Sequence, residues 1–122
     1  MRSAFVSESA ETDPWTLELL PQFLDLTARR QIDIDIQRGN LESGHEPLLA
    51  LREIASIVHN IAGTAANFGL AGLGRQARIV DTLCGQICTL SGPARDEAVT
   101  TRLFPALDTL SREFDSALAA TA

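Results

Sequence analysis

Apolar residues recur at steps of three and four positions over most of the 122-residue chain, which is the period of an amphipathic helix. The clearest stripe predicts a helix over about 47–67. Its apolar face is formed by Leu51, Ile54, Val58, Ile61, Ala65 and Phe68. Similar stripes predict helices over about 21–41, 70–90 and 94–119. We therefore predict an all-α fold, an antiparallel four-helix bundle, because helices of this length joined by short connectors pack in that way.

Prolines and one glycine predict where these helices begin, bend and end. Pro14 is suited to the first helical position, so a short extra helix is expected over about 14–20, with Pro21 opening the next helix. Pro105 lies inside the last helix and should kink or split it near Arg102. Gly69 is expected to cap the helix over 47–67.

The segment QIDIDIQ is the one stretch that departs from the helical period, because its apolar and acidic residues alternate as in a strand. Its flanks are helical and no partner strand is visible, so a helix is still predicted. Ile32 and Ile36 then lie opposite Ile34. They either pack under the N-terminal segment or form an exposed apolar patch.

The composition of the chain argues against several classes of protein, namely nucleic-acid-binding, membrane-bound and secreted proteins. The formal net charge is −6, and the ten basic residues, all arginine, form no basic stripe. Both features argue against binding to nucleic acid or to an anionic membrane surface. No apolar run has transmembrane length, and the N-terminus lacks the apolar segment of a signal peptide. We expect a cytoplasmic protein with a flexible tail over 1–12 and one domain over 13–122.

Two cysteines, Cys84 and Cys88, are the only ones in the chain. Four residues apart, they share one face of a helix, and we interpret them as two buried free thiols. No disulfide is expected, which fits a reducing compartment. No metal site is predicted, since no further ligands have suitable spacing.

The stretch HNIAGTAANFG surrounds one of the two histidines with small residues. His59 lies roughly 130° from the centre of the apolar stripe, so it should point away from the core. Its neighbours on that face are Ala55, Ser56, Ala62 and Gly63 at one turn, with Arg52 and Ala66 at two. The plain interpretation is an ordinary surface histidine, as for His45 in the connector before Pro47. However, Gly63 costs about 1 kcal/mol in a helix interior, which suggests a need for space.

The chemistry that suits a lone accessible imidazole is nucleophilic attack through a ring nitrogen, with a partner completing the site. No Ser-His-Asp or Cys-His constellation and no phosphate-binding glycine loop is present. An enzyme or a metal-binding bundle is therefore the weakest hypothesis, because paired acids and ligand clusters are missing.

The segment HNIAGTAANFGLAGLGRQA resembles the signature of histidine-containing phosphotransfer (HPt) domains. The matching positions are His59, Ala62, Gly63, Thr64, Phe68, Gly69, Leu70 and Leu73. The similarity in helix order covers about residues 17–120. The resemblance implies a phosphorelay carrier in two-component signalling. A carrier of this kind is not a self-sufficient enzyme.

In such a carrier, His59 would accept a phosphoryl group on Nε2 from an aspartyl phosphate of a response-regulator receiver domain and donate it to another. The partners implied are receiver domains and a hybrid sensor kinase. The resemblance also implies that the chain is a monomer. The chain would need no cofactor, because the receiver brings the Mg²⁺ and the acidic cluster. The docking face would include Gly63 and Ala62, with Ala55, Ala66, Ser56 and Arg52 around them.

One position departs from the family pattern, because many members carry lysine where this chain has Ala62. Arg52, or Arg75 or Arg78 on the next helix, could supply the missing cation, or the receiver could. The departure also keeps open an alternative, a non-transferring HPt-like bundle that binds a receiver or kinase as a regulator.

Overall fold

The computed structural model describes residues 14–121, with side chains from 18 to 120. Within this range every regular element is helical and no strand occurs, which confirms the all-α prediction. The elements are α1 (Pro14–Ser43), α2 (Pro47–Ala65), a 3₁₀ turn (Ala66–Phe68), α3 (Ala71–Cys88), α4 (Gly92–Ala98), a π-helical segment (Val99–Leu103) and α5 (Phe104–Thr121). The tail predicted over 1–12 lies outside the described residues.

The N-terminal helix α1 is continuous for 30 residues and contains Pro21 in its interior. The prediction of a separate short helix over 14–20 is therefore wrong. Pro21 is exposed and only two turns from the start of α1, so its missing N–H removes a single helical hydrogen bond there. The next turns are anchored in the core by Phe23, Leu24 and Thr27, which favours one helix through the proline.

The alternating segment QIDIDIQ is helical, as its flanks predict. Ile34 is buried at 2% exposure, whereas Ile32 and Ile36 are 60% and 57% exposed. The alternative in which this pair packs under the N-terminal segment involves residues outside those described, and among the described residues the pair forms an exposed apolar patch.

The pair α2 and α3 makes the most extensive packing between helices in the described chain. All the apolar positions predicted for α2 are buried except Phe68, which is half-buried in the 3₁₀ turn and stacks on Phe23 with ring centroids 4.7 Å apart. A Cβ atom at Gly74 would lie 3.5 Å from the Cβ of Ala65, so the backbones approach closely here. Gly69 adopts the left-handed conformation with φ 72°, and the predicted cap at this position is confirmed.

The last helical stretch changes its winding where the proline predicts a break. The π-helical segment ends at Leu103, directly before α5, and Pro105 is the second residue of α5. Pro105 has no N–H to donate to the carbonyl one turn earlier, so one α-helical hydrogen bond is missing here, next to the π-helical segment. The seam of the stretch is buried at Val99, Leu103, Leu107, Leu110 and Phe114. Leu118, four residues beyond Phe114, is 45% exposed near the C-terminal end.

The two cysteines are free thiols on α3, Cys84 buried and Cys88 only half-buried. Burial is the main cause that raises the pKa of the Cys84 thiol to about 12, with smaller contributions from Cys88 and Asp81.

None of the helices in residues 14–121 is both long enough and apolar enough to cross a membrane.

Candidate functional site

The side chain of His59 is exposed on α2, with 77% of its surface accessible to solvent. The residues that hold this turn in place lie on the other side of the helix, where Val58, Ile61 and Ala65 are fully buried. The imidazole therefore points away from the core, as its angular position predicts.

One ring nitrogen of His59 has a partner that helical spacing alone does not reveal. Nδ1 lies 3.1 Å from Oδ2 of Asp81 on α3, and the Asp81 side chain is 32% exposed. An ionised carboxylate can only accept, so in the neutral ring the proton is on Nδ1, which donates to Asp81. Nε2 then carries the free lone pair.

Asp81 was missed because it is 22 residues from His59 and on another helix. The period of α3 gave a partial signal. Asp81 follows the buried Val80, so it lies on the flank of the seam that packs against α2. Placing Asp81 beside His59 also requires knowing how α2 and α3 are aligned along each other. The spacing of residues within one helix does not give this alignment.

A shallow depression of about 370 Å³ lies in front of the imidazole. Its lining residues are His59, Ala62, Gly63, Arg78 and Asp81. Two of the predicted residues, Ala62 and Gly63, are thus brought together with the histidine. Ala62 is only 9% exposed, so it forms part of the floor and offers little surface for docking.

Gly63 is exposed, and the chain itself does not require a glycine there. No heavy atom of the molecule lies within 4 Å of the place that a Cβ atom would occupy. The space beside His59 is therefore open to solvent.

The remaining predicted docking residues lie on the surrounding surface of α2 and its end. Ser56 and Ala66 are exposed and Ala55 is half-buried, but none of them lines the depression at His59.

The three arginines considered as a substitute cation have different positions. Arg52 lines a separate depression near the start of α2, together with Arg95 and Leu49. Arg78 lines the depression at His59. Arg75 extends towards the start of α3, where its Nη2 lies 3.9 Å from the position of a Cβ atom on Gly72. Only Arg78 is thus brought to the histidine among these three.

The described part of the chain contains no cluster of three or more His, Cys, Asp or Glu side chains that could hold a metal ion. The second histidine, His45, lies exposed in the turn before α2, with Nε2 3.4 Å from a carboxylate oxygen of Glu46.

Comparisons of the chain with protein-family models, with curated proteins and with solved structures found no match.

Proposed function

We propose that this chain is a phosphorelay carrier of the HPt type, which accepts a phosphoryl group on His59 from the aspartyl phosphate of a receiver domain and donates it to another receiver. The observation that carries the proposal is the pairing of Nδ1 with Asp81 on an otherwise exposed imidazole. This pairing orients the ring and leaves Nε2 free as the nucleophile.

The transfer step balances without any proton transfer. The Nε2 lone pair attacks phosphorus, the P–O bond to the receiver aspartate breaks, and the aspartate leaves as a carboxylate. The imidazole ring becomes positively charged because it keeps its proton on Nδ1. The carboxylate of Asp81, 3.1 Å away, stabilises that charge. Attack by an aspartate of a second receiver reverses these changes and restores the neutral ring.

The openness of the site supports a protein as the phosphoryl donor. His59 is mostly exposed and Gly63 leaves space beside it, so a second protein surface can reach Nε2. In-line phosphoryl transfer depends on positioning and on stabilisation of charge over the equatorial oxygens. Under the proposal the receiver supplies most of this stabilisation through its own acidic cluster and Mg²⁺.

The arrangement that we propose for the whole domain is an antiparallel four-helix bundle, formed by α1, α2, α3 and the stretch from α4 to α5. Short connectors between these four helical stretches support it, since short links favour antiparallel neighbours. Two contacts between α2 and α3 support it further, Ala65 with Gly74 and His59 with Asp81. From the first contact to the second, the residue number decreases along α2 and increases along α3, so these two helices run antiparallel.

The proposal is tested by transfer from a phosphorylated receiver. Receiver domains from the same organism are phosphorylated with acetyl phosphate, freed of the reagent and mixed with the chain. Phosphate that is labile to acid and stable to base should then appear on the chain. His59→Gln should abolish its appearance, and the matched variant His45→Gln should leave it unchanged.

Two results would contradict the proposal. Transfer to His59→Gln at the wild-type level would place the phosphoryl group elsewhere. If a receiver binds stably but none of the receivers tested transfers its phosphoryl group, the chain is instead a non-transferring regulator.

A further inference from the structure

A phosphoryl dianion on Nε2 of His59 brings two negative charges to the site, while the single positive charge of the imidazolium ring is already balanced by the Asp81 carboxylate. Asp81 is 3.1 Å from the other ring nitrogen, and the chain as a whole has a formal net charge of −6. The local potential therefore opposes a phosphoryl dianion unless a cation lies within reach of its oxygens. Ala62, on the floor of the same depression, provides no charge.

Arg78 is the cation in the right place. It lies on α3, one turn before Asp81, and lines the depression that contains His59 and Gly63. The side chain is exposed and makes no ion pair or hydrogen bond with any other residue that the structure describes. Its guanidinium is thus not committed to a structural role, and its donors are suited to the oxygens of a phosphoryl group.

The neighbouring arginines do not share this position. Arg75 lines the adjacent depression along α3 with Arg78, but its guanidinium extends towards Gly72. Arg52 lies with Arg95 at the start of α2. Both are exposed, and neither lines the depression at His59, so they serve as matched controls.

We propose that Arg78 and His59 form a binding site for a phosphoryl anion, in which the Arg78 guanidinium binds the oxygens of the group carried on Nε2. The inference deepens the proposed function and rests on His59 carrying a phosphoryl group. In this site the cation comes from α3, whereas α2 presents alanine at the position where the HPt pattern often has lysine.

The test uses the full chain phosphorylated with phosphoramidate, so that no receiver is involved. The His59 imidazole displaces ammonia from the reagent, and ³¹P NMR then follows the titration of the attached phosphoryl group. Because a cation favours the dianion, Arg78 should lower the pKa of this group. Arg78→Ala should raise that pKa, Arg78→Lys should largely restore it, and Arg75→Ala and Arg52→Ala should leave it unchanged. His45→Gln identifies the His59 resonance.

A titration of Arg78→Ala that superposes on the wild type would overturn the proposal. An equal rise in Arg75→Ala would also overturn it, because the effect would then be one of general surface charge. Failure of the reagent to phosphorylate His59 would do the same. A normal Arg78 effect combined with no transfer from any receiver would support the anion site and contradict the relay function, so the two proposals fail separately.

Discussion

A single residue, Asp81, determines the tautomer and the orientation of the exposed His59 imidazole. A histidine without a partner exchanges its proton between two nitrogens and rotates about its side-chain bonds. With Nδ1 held 3.1 Å from the Asp81 carboxylate, one tautomer and one orientation are favoured, and Nε2 faces outward. The same carboxylate offsets the positive charge that the ring gains when it is phosphorylated.

Asp81→Asn should slow phosphoryl uptake by His59 about tenfold, because a hydrogen bond to a charged group contributes about 1.5 kcal/mol. The amide oxygen can still accept from Nδ1, but it cannot balance the ring charge. The measurement is the rate of transfer from a phosphorylated receiver. Asp33→Asn removes an exposed acid on α1 and should have no effect. A wild-type rate for Asp81→Asn would show that the carboxylate has no part in transfer.

Gly63→Ala should separate stability from function. The added methyl group meets no atom of the chain within 4 Å, and alanine is favoured over glycine in a helix by about 1 kcal/mol. The variant should therefore unfold at higher denaturant concentration while its transfer from a receiver becomes slower, since the methyl group occupies the approach to His59.

The control for this variant is Gly39→Ala. Gly39 is an exposed glycine inside α1 with the same open space around it. The Gly39→Ala variant should show a similar gain in stability, with no change in the rate of phosphoryl transfer from a receiver. Unimpaired transfer by Gly63→Ala would mean that the space beside His59 is not used by a partner.

A side-chain contact joins two helices, α1 and the C-terminal helix α5. Arg38 donates from Nη1 to Asp108 at 2.6 Å, and its guanidinium carbon lies 4.6 Å from the ring centroid of Phe104. The Arg38 side chain is 26% exposed, so this pair is more shielded from water than most surface ion pairs. It holds α1 against the stretch that follows the π-helical segment.

Arg38→Ala should lower the free energy of unfolding by about 1–2 kcal/mol, because it removes an ion pair and a cation–π contact together. The measurement is urea denaturation followed by circular dichroism. Arg29→Ala is the control, since Arg29 pairs with Asp25 at 3.4 Å and both side chains are more than 70% exposed. A loss of equal size in both variants would show that the contact with α5 adds nothing.

The helices themselves could be predicted from the sequence because each apolar stripe is a local property. The positions of α2 and α3, the cap at Gly69 and the change of helical winding before Pro105 all follow from residues within one or two turns. Continuity of α1 through Pro21 could not be predicted in the same way. It depends on how strongly the following turns are anchored in the core, and that anchoring comes from other helices.

The residues of the candidate site also differ in whether the sequence of one helix could predict them. The exposure of His59 and the small residues beside it follow from the period of one helix. Asp81 and the choice of Arg78 over Arg75 and Arg52 depend on how α3 lies against α2, and on the directions that long side chains take. Sequence spacing within a helix carries neither kind of information.

The alkaline stability of the whole molecule should depend on one thiol. The chain has no lysine and no tyrosine, the side chains that commonly titrate between pH 9 and 12, so a thiol with a raised pKa can determine the stability in this range. Burial raises the pKa of Cys84 from 9.0 to about 12 in the folded state. Stability from the neutral buried thiol is therefore fully present below pH 9 and is lost as the pH rises towards 12.

The free energy of unfolding should fall by about 1 kcal/mol per pH unit in this window. Urea denaturation under reducing conditions at a series of pH values measures this slope. Cys84→Ala should flatten the slope, although it lowers the stability near neutral pH, and Cys88→Ala should retain it. A slope that persists in Cys84→Ala would assign the alkaline transition to another group.

The central claim for the molecule is that Asp81 holds Nδ1 of His59 so that a receiver delivers the phosphoryl group to Nε2. It is tested most directly by NMR of the ¹⁵N-labelled chain after transfer from a phosphorylated receiver, which identifies the nitrogen bonded to phosphorus. We predict a single phosphorylated histidine, His59, with phosphorus coupled to Nε2 and the proton retained on Nδ1. Phosphorus on Nδ1, or on any residue other than His59, would contradict the claim.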